Sequence, residues 1–92
     1  MKKTATFKLI EGSFTVEEAR ELLTNLYSDK IQFHSRKNFS RQERFGHSDA
    51  ASLKRIPELK EILAAICALL DKFEAASDKL NIHANIAIVL NE

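Results

Sequence analysis

The sequence contains very few of the residues that make disulfide-stapled, collagen-like or linker-like chains. Its 92 residues include one cysteine, two glycines, one proline and no tryptophan. A single cysteine excludes an intramolecular disulfide and is typical of a reducing compartment, so we expect a cytoplasmic protein. So little glycine and proline excludes collagen-like and flexible low-complexity chains.

Long apolar runs are also missing. No stretch approaches the roughly 18 apolar residues of a membrane helix. The basic residues at the start resemble those of a signal peptide, but Lys8 and Glu11 interrupt the apolar segment that a signal peptide needs next. With 45% hydrophobic and 29% charged residues and a net charge of +1, the composition is that of a folded chain. We therefore expect one soluble domain over residues 1–92 that does not enter a membrane.

The N-terminal part of the chain predicts a strand followed by a long helix. Apolar and polar side chains alternate over residues 4–10, which indicates a strand. Thr15-Val16-Glu17-Glu18 is a capping box, in which the Thr15 hydroxyl accepts from the amide of Glu18 and the Glu18 carboxylate reaches back. An amphipathic pattern then continues to about residue 35 and predicts a helix of about five turns.

Residues 36–52 break this amphipathic pattern. We expect a long connection there, with a short helical turn that Ser40-Arg41-Gln42-Glu43 caps and that ends near Gly46. Seventeen residues make a long connection for a small domain, and connections of that length often carry function. This segment is therefore the first place to look for a binding surface.

The C-terminal half of the chain begins with a second predicted helix. Asp49 or Ser52 is suited to cap it. Pro57 indicates either that the helix begins just before the proline or that an earlier turn is kinked there. From Leu59 onward, apolar residues recur at helical spacing and define the core side of this helix.

The order of the predicted elements defines the fold class. Asn81 is suited to end the second helix, and alternation over residues 82–90 predicts a second strand. The fold is then α+β, with the order β-α-α-β and a long helical hairpin packed on one face of a two-stranded antiparallel sheet. Two strands alone are marginal and expose two edges. We therefore expect a homodimer, either by strand pairing at a sheet edge or by packing of the helical hairpins.

The net charge of +1 hides a basic centre. Residues 30–60 hold eight Lys or Arg against three acids, whereas residues 11–29 and 61–92 are net acidic. Cations interleaved with phenylalanines are typical of surfaces that bind phosphates and bases. Alternatively, the phenylalanines anchor the segment to the core and the cations are solvated or paired. The candidate partner-binding residues, for a protein or for nucleic acid, are Arg36, Lys37, Phe39, Arg41, Arg44 and Phe45.

His34 is the most unusual single residue, because it lies in the centre of the apolar stripe of the first helix. It is either a buried neutral imidazole with a hydrogen-bonded neighbour or part of a small pocket with Tyr27 and Lys30, or with Cys67. The three histidines lack metal-ligand spacing, and no glycine-rich phosphate loop is present. We therefore expect no metal and no cofactor, and we assign no catalytic residue.

Three functions remain open at this point. The first is a non-enzymatic, homodimeric protein-interaction or assembly module whose contact surface is the hairpin tip, the name used below for residues 36–49. The second is a nucleic-acid-binding accessory protein that uses the basic segment 30–60. The third is a small enzyme with a site at the dimer interface near His34. The motifs are structural ones that many small domains share, so they do not select among the three.

Overall fold

The two strands and two helices follow one another in the predicted β-α-α-β order. A computed structural model describes residues 3–74 and 79–90. Strand β1 spans Thr4–Phe14, helix α1 Val16–Phe45, helix α2 Ala50–Phe73 and strand β2 Leu80–Val89. The strands pair antiparallel, and the two helices form a hairpin packed on the sheet. The predicted fold class is therefore confirmed.

Strand β1 is longer than the sequence predicts, since it continues to Phe14. Its register with β2 shifts between Lys8 and Ile10, where a β-bulge leaves Leu9 without a partner across the sheet. Before the bulge the odd-numbered residues share the apolar face, and after it the even-numbered residues do. An alternation pattern that ignores the bulge therefore ends the strand too early, and Gly12 and Ser13 lie inside β1.

The start of α1 is formed as predicted. The Thr15 hydroxyl accepts a hydrogen bond from the Glu18 amide at 3.1 Å, and the Glu18 carboxylate accepts from the Thr15 amide at 2.9 Å. These two bonds satisfy donors that have no partner within the helix. The capping box therefore fixes the point at which the chain leaves β1 and enters α1.

The expected long connection over residues 36–52 is wrong. Helix α1 runs through this segment to Phe45 and stops at Gly46, which has the left-handed conformation with φ of 72°. The apolar pattern stops near residue 35 because the helix beyond it contacts polar groups of α2, while its Arg, Lys, Gln and Glu residues remain good helix formers. Ser40 is consequently inside a helix and caps nothing.

Helix α2 begins at Ala50, well before the start just ahead of Pro57 that is one of the two expectations. Asp49 is its N-cap, one of the two predicted residues, and its carboxylate accepts from the Ser52 amide at 3.2 Å. Pro57 therefore lies inside the helix, where it lacks the N–H that would bond to the carbonyl of Leu53. The connection between the two helices is only residues 46–49.

The predicted boundary at Asn81 is wrong. Helix α2 ends at Phe73, and β2 begins at Leu80. Asn81 lies inside β2, where its side-chain oxygen accepts a hydrogen bond from the Ser13 hydroxyl at 2.7 Å. Leu80 happens to continue the helical spacing of α2, so periodicity alone misplaces this boundary.

Few apolar side chains are buried in the described part of the chain. They are Ile10, Ala19, Leu59 and Leu70. Leu59, which opens the predicted core side of α2, is 1% exposed. The molecule measures 51 × 34 × 14 Å, and its radius of gyration of 16.7 Å exceeds the roughly 12 Å of a compact chain of this length. Much of the expected core is therefore open.

The apolar face of the sheet is covered at one end and open at the other. Residues opposite each other share this face, from Phe14 and Leu80 at one end towards Phe7 and Ile86 at the other. Ile10 is buried between them, whereas Phe7 and Ile86 are 56% and 41% exposed. The uncovered part, called the open sheet face below, consists of Ala5, Phe7, Ile86 and Ile88.

Candidate functional site

The candidate partner-binding residues all lie in the last ten residues of α1. They are Arg36, Lys37, Phe39, Arg41, Arg44 and Phe45, and all six are exposed. Because α1 is continuous, helical geometry distributes them around the helix. The structure therefore divides them into two groups.

The first group lines a cleft on one side of α1. Lys37, Arg41, Arg44 and Phe45 line it together with Ser40, and its volume is about 280 Å³. The guanidinium carbon of Arg41 lies 5.6 Å from the centre of the Phe45 ring, a cation–π distance. Three cations and no acid line this open cleft, called the basic cleft below. Its chemistry suits an anion.

The second group lies on the other side of α1. At 100° per residue, Arg36 and Phe39 are placed beside Glu43 and away from Lys37. Phe39 is 60% exposed, and Phe45 in the first group is 58% exposed. The interpretation that these phenylalanines anchor the segment to the core is therefore wrong.

A cluster of polar groups joins α1 to the start of α2. The Nδ1 atom of His34 lies 3.1 Å from Ser52 Oγ, and the Ser52 hydroxyl donates to the Asp49 carboxylate at 2.5 Å. The side-chain oxygen of Asn38 accepts from the Asp49 amide at 2.8 Å. Arg41 Nε lies 3.8 Å from Asp49 Oδ1. This polar cluster joins the distal half of α1 to the start of α2.

The hydrogen bonds of the polar cluster act on Asp49. The Ser52 hydroxyl is the largest cause of a lowered pKa of Asp49, and the Ser52 amide and the charges of Lys37 and Arg41 act in the same direction. Asp49 is therefore ionised at neutral pH and takes the one hydroxyl proton of Ser52. This network assigns the Nδ1 proton to His34, which donates to Ser52 Oγ.

Tyr27, Lys30 and His34 lie on one side of α1, three and four residues apart, but they do not line one cavity. Tyr27 and Lys30 line a cavity of about 150 Å³ between α1, α2 and β1. His34 instead belongs to the polar cluster. Cys67 is fifteen residues beyond Ser52 in α2, which is about 22 Å along the helix axis, so it is also distant from His34.

Sequence reasoning missed the partners of His34. Asn38 and Arg41 follow His34 by four and seven residues, and this spacing places all three on one side of a helix. The spacing is informative only if α1 continues past residue 35. Ser52 approaches from the other helix, and no local pattern pairs it with His34.

Neither a cluster of metal ligands nor a membrane-spanning helix is found in the described residues. Within residues 3–74 and 79–90, no three His, Cys, Asp or Glu side chains are placed together as metal ligands. No helix in those same ranges is long and apolar enough to cross a membrane. No family model, no curated protein and no solved structure matches the chain. The surfaces of the chain itself are therefore what indicates its function.

Proposed function

We propose that this chain is a non-enzymatic interaction module that works as a homodimer and presents its hairpin tip to a further partner. The amount of open surface carries the proposal. The accessible surface is 7217 Å², whereas a folded monomer of 10.4 kDa is expected to have about 5,400 Å². The excess is about 1,800 Å², which lies within the roughly 1,000–2,500 Å² per partner that the interfaces of obligate homodimers cover. A second copy accounts for this excess.

Two apolar surfaces are available to that second copy. One is the open sheet face, where Phe7 and Ile88 are 56% and 57% exposed. The other is a stripe of α2 at helix-packing spacing, called the outer stripe of α2, which consists of Ile62, Ala65, Leu69 and Phe73. Neither surface includes a charged residue. Uncharged apolar surfaces favour association of identical copies over binding of a charged partner.

The edge of β2 is suited to pair with the β2 edge of the second copy. Its ten residues contain no Lys, Arg, Asp or Glu, although charges are a usual protection of sheet edges. β1 carries Lys8 and Glu11, which form an ion pair at 2.8 Å. Antiparallel pairing of β2 about a two-fold axis gives a four-stranded sheet. This pairing places the Leu80 end of β2 in one copy, where the apolar face of the sheet is covered, beside the Val89 end of β2 in the other copy, where that face is open.

The hairpin tip is the surface that this dimer leaves for a partner. The bonds found for its side chains stay within the hairpin. Gln42 donates to the Ser48 hydroxyl at 3.0 Å, and Asn38 and Arg41 contact Asp49. Near His34, where the alternative of a small enzyme places its site, the cavity lined by Tyr27 and Lys30 has a volume of only about 150 Å³. This volume is below the roughly 300–1,000 Å³ of ligand pockets, so a non-enzymatic role is supported at that place. It is also supported by His34, which is bonded to Ser52.

Sedimentation equilibrium at micromolar concentration tests the dimer. We expect a mass of about twice 10.4 kDa. Ile88→Lys places a charge on the open sheet face and is expected to give monomer. Thr6→Lys places the same charge on the opposite face of the sheet and is the matched control, which is expected to remain dimeric.

Unfolding supplies a second measurement in case Ile88→Lys does not fold. If folding and dimerisation are coupled, the urea midpoint of the wild-type chain rises over an approximately 100-fold range of protein concentration. A 10.4 kDa species with a concentration-independent midpoint contradicts the proposed dimer.

A further inference from the structure

Four cations fall on one line along α1. Lys30, Lys37, Arg41 and Arg44 are separated by seven, four and three residues, so at 100° per residue they lie within about 60° of arc. Their span of fourteen residues is about 21 Å of helix. This line is long enough to follow several phosphates of a single strand, and its distal three cations line the basic cleft.

Exposed aromatic rings lie beside this line. Phe33 and Phe45 are 53% and 58% exposed. The Phe45 ring stacks on His47, with 5.9 Å between ring centres and 22° between ring planes, and still has more than half of its side chain open. Aromatic rings next to cations are the combination on which unpaired bases stack.

The acids of the hairpin tip do not cancel this charge. Helical geometry places Glu43 beside Arg36, away from the cleft. Asp49 is 8% exposed and is bonded to Ser52. The ion pairs found in the described residues include neither Lys37 nor Arg44. Lys37 and Arg44 are therefore available to a ligand. Arg41 is exposed and approaches Asp49 only through Nε, at 3.8 Å, so its other guanidinium donors are available to a phosphate as well.

From the line of cations and the exposed rings, we infer that the basic cleft binds single-stranded nucleic acid. Lys37, Arg41 and Arg44 contact successive phosphates, and Phe45 stacks on a base. This inference rests on the proposed role of the hairpin tip as the contact surface, and it names the ligand. A duplex has no unpaired base for Phe45, and a glutamate-rich peptide has no ring to stack on it.

Fluorescence anisotropy with a labelled oligothymidine tests the inference. With three phosphates contacted per cleft, the slope of log affinity against log salt is expected to be about −2. Lys37→Gln/Arg44→Gln is expected to weaken binding at least about tenfold and to reduce that slope by about two thirds. Lys60→Gln/Lys72→Gln is the matched control, because it removes the same charge from exposed positions on α2. It is expected to change affinity less than about twofold.

A third variant distinguishes nucleic acid from other anions. Phe45→Leu is expected to weaken oligothymidine binding severalfold and to leave inorganic polyphosphate binding unchanged, because only the oligonucleotide has bases to stack. Oligothymidine binding that survives Phe45→Leu unchanged overturns the inference. The inference is also overturned if a glutamate-rich peptide with the same charge as the oligothymidine binds as tightly. That result assigns the cleft to a protein partner. If Lys37→Gln/Arg44→Gln and Lys60→Gln/Lys72→Gln bind oligothymidine equally well, the basic cleft is not the binding site.

The oligomeric state and ligand binding are measured separately. Sedimentation of the same variants reports whether the proposed dimer forms, while anisotropy reports whether the cleft binds. A dimeric chain that fails to bind oligothymidine at about 50 mM salt overturns the inference and leaves the dimer standing. A monomeric chain that binds through the cleft supports the inference and overturns the dimer.

Discussion

His34 Nδ1 lies 3.1 Å from Ser52 Oγ, and this contact joins the middle of α1 to the first turn of α2. Ser52 is 1% exposed, and its hydroxyl proton goes to Asp49. His34 is therefore the donor to the serine oxygen. At this level the two helices are held together by polar contacts, and the serine hydroxyl is bonded on both sides.

Ser52→Ala is expected to lower the free energy of unfolding by about 1–3 kcal/mol, because it leaves a part-buried imidazole N–H without its acceptor. Ser35→Ala changes an exposed serine of α1 and is the matched control, expected to stay within about 0.5 kcal/mol of wild type. Urea unfolding at one fixed protein concentration measures both variants. Equal midpoints for the two variants contradict the structural role assigned to the polar cluster.

Acid is expected to destabilise the fold through Asp49. The hydrogen bond from the Ser52 hydroxyl is the main cause that lowers the pKa of Asp49 in the folded chain. A depressed folded pKa stabilises the fold at pH values above the unfolded pKa, and this contribution is lost as the pH falls through the folded pKa. Glu18 acts in the same direction, because the amide and hydroxyl of Thr15 lower its pKa.

Urea midpoints measured from about pH 6 to about pH 2 test this expectation. The wild-type midpoint is expected to fall below about pH 5, and the midpoint of Asp49→Asn to fall less, because the amide does not titrate. Asp29→Asn removes an exposed acid of α1 and is expected to follow the wild-type curve. If Asp49→Asn follows that curve as well, Asp49 is not a source of the acid sensitivity.

The segment after residue 35 shows what periodicity can and cannot predict. The sequence correctly places the cap at Thr15 and a helix stop near Gly46, and it includes Asp49 as one of two candidate caps of α2, because each depends on local backbone chemistry. It fails for residues 36–45, because apolar periodicity reports contact with an apolar core. That part of α1 contacts polar groups, and only its helix-forming residues indicate a helix.

The candidate site could be predicted in part for the same reason. Composition alone shows that the hairpin tip is basic and carries aromatic rings. Which of these residues share a side depends on whether the backbone is helical, so the separation of Arg36 and Phe39 from the basic cleft could not be predicted. The pairing of His34 with Ser52 depends on how the hairpin closes, which no local pattern specifies.

Gly46 ends α1 through its backbone conformation alone. Its φ is 72°, and an added Cβ would meet no atom within 4 Å, so the cost of a side chain is conformational. Gly46→Ala is expected to lower the free energy of unfolding by about 1–2 kcal/mol, and Gly46→Asn by less, because asparagine tolerates the left-handed region. Urea unfolding measures the series. An alanine variant as stable as wild type contradicts a left-handed stop at this position.

Pro57 is expected to weaken α2. It is the eighth residue of the helix, beyond the first turn, so its missing N–H removes a hydrogen bond of the helix interior. Its site is exposed, so no buried contact of the ring offsets this loss. Pro57→Ala restores the hydrogen bond to the Leu53 carbonyl and removes the clash of the ring with the preceding turn. We expect the free energy of unfolding to rise by about 1–3 kcal/mol, less than the full propensity difference because alanine also frees the unfolded chain.

Leu59→Ala, two residues further along the same helix, provides the opposite expectation. Leu59 is 1% exposed, so its truncation should lower the free energy of unfolding by about 2–5 kcal/mol. Urea unfolding of both variants at one protein concentration measures the two changes in the free energy of unfolding, a rise for Pro57→Ala and a fall for Leu59→Ala. If Pro57→Ala also lowers the free energy of unfolding, the expectation that Pro57 weakens α2 is wrong.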